Sequence, residues 1–129
     1  MDKDFINERP IKRQGAQGEC SVVESQKDGK DYFKKRMKEG GQKNSERRKR
    51  FFYETRILQL LQNDINGIPK IICTNSAEYK NRDIELYYIA EYIEGQTLTD
   101  FINKQNVDEL VIITFLKELL VILKNYHYL

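Results

Sequence analysis

Residues 20–37 read CSVVESQKDGKDYFKKRM, and the way this stretch divides decides the fold. Asp28-Gly29 is the kind of pair that turns a chain back between two strands. Residues 20–25 before it and 32–37 after it read as extended segments. On such a strand Phe33 and Lys35 point to one side, and Tyr32 and Lys34 to the other. Upstream, Gly15-Ala16-Gln17-Gly18 reads as a turn leading back to a further short strand at residues 11–14. Pro10 suits the start of an edge strand, where its missing amide is not needed.

Downstream, Gly40-Gly41 marks residues 38–44 as a loop. Ser45 is the expected N-cap of a long helix running through Gln62. Phe51, Phe52, Ile57, Leu58 and Leu61 share one broad face of it at three- and four-residue spacing. Asn66-Gly67 ends this unit. Residues 68–73 and 84–92 read as two more strands, joined by a polar loop over 75–83, and Glu94-Gly95 breaks the second. Thr97 with Asp100, and Asn106 with Glu109, form capping boxes. They open a short helix to about Lys104 and a long helix to the end of the sequence. Three strands, a helix, two strands and then helices predict an α+β fold: a five-stranded antiparallel sheet with one crossing helix. Residues 8–94 form the expected sheet domain and 95–129 the helical exit from it.

Bulk properties narrow the possible classes. A chain of 129 residues suits one domain with one core. With 40% hydrophobic and 33% charged residues it is an ordinary globular sequence rather than a disordered one. Residues 1–10 are charged and lack the apolar run of a secretory signal. The longest apolar run, 110–116, falls short of the roughly 20 residues a membrane span needs. Cys20 and Cys73 match neither a metal-ligand pattern nor a disulfide framework, so a cytoplasmic, reducing compartment is the expectation. Net charge is only +2, but residues 27–50 hold eleven Lys or Arg against four acids. Such a block attracts phosphates, or is simply a solvated face.

Three features carry chemistry only in combination. Two glycines at a strand-to-strand turn let backbone amides approach a polyphosphate. Taken alone they signify a turn. No Gly-Lys-Ser/Thr follows, so this is not a Walker A loop, and a strand rather than a helix comes next, unlike a Rossmann fingerprint. Lys35, alone, is an exposed strand lysine. Glu54, alone, is a surface partner for Arg50 one turn earlier.

In order, Gly15-Ala16-Gln17-Gly18, Tyr32-Phe33-Lys34-Lys35 and Glu54-Thr55-Arg56-Ile57-Leu58 resemble the opening motifs of the eukaryotic-type Ser/Thr protein kinases: a Gly-rich loop, a third-strand lysine and a helix glutamate. Gly18 to Lys35 is 17 positions and Lys35 to Glu54 is 19, both close to the family's usual separations. Ala90-Glu91-Tyr92-Ile93-Glu94-Gly95 resembles a kinase hinge, and residues 123–129 the end of the helix before a catalytic loop. The resemblance covers roughly residues 8–129 and implies a kinase-like N-lobe followed by the first helices of a C-lobe.

What the resemblance implies for ATP binding is specific. Backbone amides from Gly15 through Ala16 and Gln17 to Gly18 would cover the phosphates. Lys35 would touch the α- and β-phosphates and pair with Glu54. The Glu91 carbonyl and the Ile93 amide would hold adenine, Cys20 would roof it, and Ala90 would guard the back of the pocket. Three positions depart from the pattern. Arg13 replaces the first loop glycine, Gln17 the aromatic loop tip, and Phe33 a small alanine. Phe33 either narrows the adenine site or marks Lys34 as the working lysine; spacing favours Lys35. His127 is read as a structural helix residue.

The catalytic aspartate and the magnesium-binding Asp-Phe-Gly of the family would lie beyond Leu129, so Mg-ATP chemistry would need residues outside this chain, and no phosphoryl transfer is expected from it alone. Leu110, Ile113, Leu116, Leu120 and Leu123 on the last helix each forgo roughly 1.5–3 kcal/mol if left wet. Docking on a protein partner, self-association through residues 107–128 or a rearranged fold is therefore expected. The alternative to an ATP-binding lobe is a truncated or pseudokinase-like regulatory module acting through these helices. A small-molecule phosphotransferase shares the architecture. Nucleic-acid binding through residues 34–50 is not expected, since no recognition motif accompanies the basic block.

Overall fold

The computed structural model describes residues 2–11, 18–37, 43–95, 98–104 and 108–127. Five strands, β1 (Phe5–Pro10), β2 (Gly18–Ser25), β3 (Asp31–Met37), β4 (Ile71–Thr74) and β5 (Tyr87–Glu91), form one antiparallel sheet in the order β1-β2-β3-β5-β4. Three helices, α1 (Ser45–Leu61), α2 (Leu98–Lys104) and α3 (Glu109–His127), complete an α+β architecture. Among the described residues no helix is long and apolar enough to cross a membrane.

The β2–β3 hairpin forms where the Asp28-Gly29 pair places it. Gly29 takes a positive φ of 70°, open to glycine without Cβ strain. Asp28 accepts from the Lys30 amide at 2.9 Å and from the Tyr32 hydroxyl at 2.8 Å. The amide first and the hydroxyl second hold the Asp28 carboxyl below its ordinary 3.8. A depressed carboxyl contributes stability that is present above its unfolded value and lost as pH falls through the folded one. The Asp28 side-chain carbon resonance should therefore titrate below 3.8. A midpoint at or above that value would show the turn hydrogen bonds to be absent in solution.

The first strand is displaced from its expected place. It occupies residues 5–10 rather than 11–14, so Pro10 closes the edge strand instead of opening it. The register slips between Ile6 and Arg9, with Asn7 at φ 54° in the left-handed region that Asn tolerates. Residues 12–14 of the expected strand lie outside the described residues. The last two strands are shorter than expected: residues 68–70, 84–86 and 92 lie outside them, while β4 runs one residue further, to Thr74.

Strand alternation gives the sheet two different faces. On one, Met37, Phe51, Ile71, Leu86, Tyr88 and Ala90 form the main core, with Phe33, Leu58 and Tyr79 packed against it. On the other, Val23, Cys73 and Ile89 form a smaller cluster under Phe5, Tyr32 and Tyr87. A bulge between Ile71 and Cys73 lets β4 feed both clusters.

Helix α1 lies against the first face, with the Phe51 ring 5.7 Å from that of Tyr88. Its N-cap is Asn44, whose side chain accepts from the Arg47 amide at 3.2 Å, one residue before the expected Ser45. Its inward stripe also differs from expectation. Arg48, Phe51 and Thr55 are buried, whereas Ile57 faces solvent. Thr55 satisfies its hydroxyl on the Phe51 carbonyl one turn back at 2.9 Å. Arg48 donates to the carbonyls of Tyr79, Asn81 and Ile84 at 2.8, 2.6 and 2.8 Å, and so fastens the loop between β4 and β5 to the helix. The expected caps Thr97 and Asn106 lie outside the described residues. At α3 the Asp108 carboxylate accepts from the Val111 amide at 3.0 Å.

Candidate functional site

Lys35 stands mid-strand on β3, facing the main core. In the register it lies between Cys20 of β2 and Tyr88 of β5, while Phe33, one pleat along, lies between Val22 and Ala90. These two rows on one face of the sheet make the floor of the site.

The Lys35 ammonium donates to Glu54 Oε1 at 2.8 Å, joining the sheet to the middle of α1. The contact is possible because β3 and α1 bracket the same face and Glu54 borders the buried stripe of the helix. The lysine side chain is largely covered, at 17% exposed, whereas the glutamate side chain is 38% exposed. An ammonium has three donors, so one bond to Glu54 leaves donor capacity for an anion.

Lys34 points the other way. Its ammonium lies 3.8 Å from Glu8 and 5.1 Å from the centre of the Tyr87 ring, on the opposite face. Of the two neighbouring lysines, only Lys35 meets Glu54. A side-chain alternation read from sequence thus finds its partner in space.

Gly18 lies immediately beside this lysine. A Cβ there would stand 2.7 Å from Lys35 Cε, 3.0 Å from Lys35 Cγ and 3.0 Å from the Arg36 carbonyl oxygen. Only the absence of a side chain lets β2 start over Lys35 without displacing it. Gly15, Ala16 and Gln17 lie outside the described residues.

Tyr88 is the third member of the pair, and sequence reasoning missed it. Burial first, and the Glu54 charge second, push its hydroxyl well above the ordinary tyrosine value. The phenol therefore stays protonated close to the carboxylate that faces Lys35. Its position two residues before Ala90, on the same strand face, is the signal that would have found it.

The remaining expected residues are spread along β5 and its exit. Ala90 is buried directly opposite Phe33, which packs toward the core with its ring 6.3 Å from Tyr88. The Glu91 amide donates to the Lys70 carbonyl at 2.9 Å, tying the end of β5 to the segment before β4. Ile93 follows in an exposed segment without regular structure. Cys20 is half-buried beside Lys35. The structure therefore brings Gly18, Cys20, Lys35, Glu54, Tyr88 and Ala90 to one region, while Ile93 lies two residues past the end of β5.

The arrangement offers a cation fixed by a carboxylate, under a glycine and beside an aromatic floor. It can bind and orient an anion. Among the described residues no group of three or more His, Cys, Asp or Glu is placed to hold a metal ion. No family model matches the chain, and no curated protein matches it.

Proposed function

We propose that this chain is an ATP-binding lobe of the protein-kinase type. The observation that carries the reading is the 2.8 Å Lys35–Glu54 pair, made between the third strand and the crossing helix. In a kinase-type lobe such a pair holds the lysine ready for the α- and β-phosphates. Three further features agree: Gly18 over the lysine, the strand order with β3 beside β5, and the small Ala90 at the back of the sheet face. In this reading Lys35 neutralises phosphate charge, Glu54 and Tyr88 position it, Cys20 borders the base, and the backbone at Glu91 and Ile93 offers the adenine edge its hydrogen bonds. These residues bind and orient; none of them is assigned a proton-transfer step.

Titration of the chain with ATP, with and without Mg²⁺, tests the assignment. Amide resonances of Gly18, Lys35, Glu91 and Ile93 should shift together and saturate in the low-millimolar range or below. Lys35→Ala should weaken binding roughly tenfold or more, the loss of one charge-assisted contact, without unfolding the chain. Shifts absent at 10 mM ATP (on the order of the weakest affinity that would be meaningful), or equal in Lys35→Ala, would remove the reading.

A second reading is a regulatory module that binds partners through its helices. It is favoured by Phe33, which stands where the family has a small residue, and by the exposed apolar surface of α3. Intact folding with no nucleotide response is its expected signature.

A further inference from the structure

A basic cleft that the nucleotide reading does not use opens at the first turn of α1. It measures about 420 Å³ and is lined by Ser45, Glu46 and Lys49 of the helix and by Tyr79, Lys80 and Arg82 of the loop between β4 and β5. Its two walls are joined by groups other than the cations that line it. Arg48, fully buried, ties three carbonyls of the loop segment to the helix, and the Phe52 and Tyr79 rings stack at 4.8 Å.

The lining carries three cations against one acid, Glu46. Each cation is steadied by a neutral group. The Lys49 ammonium lies 5.8 Å over the Tyr53 ring and that of Lys80 lies 6.0 Å over the Tyr79 ring, while Arg82 donates to Ser45 Oγ at 2.5 Å. Among the described residues none of the three forms an ion pair, whereas Arg9, Lys27, Lys34, Lys35 and Arg36 on the sheet and its turn all do. Arg82 also crowds Arg48: after burial, its charge is the second cause that lowers the Arg48 pKa. Oriented cations without a counter-charge suit an anion.

Ser45 is placed to carry that anion. Asn44 caps the helix, so the Ser45 hydroxyl is not spent on a cap. Ser45 is exposed on the first residue of α1, its oxygen already touches Arg82, and Lys49 follows it one turn along the same side of the helix. A phosphate on this oxygen would stand at the cleft among the three cations. Its two charges match what the lining leaves over once Glu46 is counted.

We propose that Ser45 is a phosphorylation site and that the cleft receives its phosphate, fastening the start of α1 to the loop between β4 and β5. The modifying step is phosphoryl transfer from ATP held by a separate protein kinase. The Ser45 oxygen bonds to the γ-phosphorus, the bond from that phosphorus to the β–γ bridging oxygen breaks, ADP leaves, and the hydroxyl proton passes to the base of the modifying enzyme. The proposal stands whether or not this chain binds nucleotide.

The test uses the full chain with phosphoserine installed at position 45 and followed by phosphorus NMR. The second ionisation of the phosphate should fall from about 6 to about 5 or lower, because the cations favour the dianion. The thermal midpoint at neutral pH should rise by roughly 5 °C over the unmodified chain. A depressed phosphate contributes stability that is present above its unfolded value, so this gain should shrink as pH falls through the lowered midpoint. Lys80→Gln combined with Arg82→Gln should return the ionisation to about 6 and abolish the gain. The same pair in the unmodified chain should move its midpoint by no more than about 2 °C, since both side chains are exposed. An ionisation that stays near 6 with an unchanged thermal midpoint, or a gain that survives the double variant, overturns the phosphate-receiving cleft. Peptide mapping of the chain recovered from its own cells under phosphatase inhibition should find phosphate on Ser45, and a bare Ser45 there overturns the modification.

Discussion

Arg48→Met is expected to lower the thermal midpoint by roughly 10 °C or more. The guanidinium is fully buried and supplies the donors for three carbonyls, those of Tyr79, Asn81 and Ile84. Methionine keeps most of the aliphatic stem, so the loss isolates the hydrogen bonds from the packing. Carbonyls deprived of a charged donor in a buried setting cost about 1–3 kcal/mol each, partly recovered where water enters. A net loss of about 3–5 kcal/mol places the variant among the most damaging single changes. Burial, and secondarily the nearby Arg82, pull the Arg48 pKa down, yet a guanidinium remains a cation in a neutral solution. Lys49→Met and Arg47→Met, one residue to either side and exposed, supply the comparison. Both should stay within about 0.5 kcal/mol of the parent. A midpoint for Arg48→Met equal to theirs would mean that the loop between β4 and β5 does not depend on this clamp.

Arg48 also shows where sequence reasoning stops. It lies in Glu46-Arg47-Arg48-Lys49-Arg50, a run whose composition reads as a solvated helix face. Hydrophobic periodicity places Phe51 and Leu58 inward, and that much holds. It then fills the stripe with Ile57, the nearest large apolar residue, although the helix turns Arg48 and Thr55 inward instead. An apolar scale cannot find a polar residue that is buried because carbonyls from a distant loop satisfy it. Those carbonyls come from residues 31 to 36 positions away. The same limit applies to Tyr88, whose role exists only once β5 lies beside β3 with α1 above both.

What was legible rested on local chemistry or on fixed alternation. The Asp28-Gly29 turn sets the β2–β3 register by itself, and that register puts Phe33 and Lys35 on one face. A helix starting near residue 45 then brings Glu54 within reach of Lys35, and the 2.8 Å contact follows from the two spacings. The first strand was misplaced because its seat is chosen by pairing. Phe5 and Ile6 pair with Ser25 and Glu24, and the Asn7 bulge absorbs the mismatch before Arg9 and Pro10. Neither the bulge nor the partner choice has a signature within residues 5–14. The exposure of α3 belongs to a third kind: its apolar excess was plain in the sequence, but which of its flanks the chain would use for itself, at Ile122 and Gly67, was not.

Phe33→Ala is expected to move stability and nucleotide affinity in opposite directions. Phe33 and Ala90 are direct neighbours across β3 and β5, a large side chain opposite a very small one. The large ring fills space that Ala90 leaves, and it joins Tyr88 and Phe51 in one aromatic series. Removing it leaves a cavity in a partly buried place, which costs about 2–3 kcal/mol, toward the low end for a phenylalanine. The thermal midpoint without ligand should fall by roughly 8 °C. If the sheet face between Cys20 and Ala90 receives adenine, the same cavity becomes room for the base, and ATP should bind about tenfold more tightly. Saturating ATP should then raise the variant's midpoint by more than it raises the parent's, because ligand stabilisation grows with the ratio of concentration to dissociation constant. Tyr88→Ala provides the contrast: it also empties the core, but it removes a protonated phenol close to Glu54, so stability and affinity should fall together. Phe33→Ala losing both would make Phe33 an ordinary core residue and leave the adenine site without support on this face of the sheet. A gain in affinity that disappears in Phe33→Ala combined with Lys35→Ala would tie the enlarged pocket to the phosphate lysine, two residues along the same strand and on the same side.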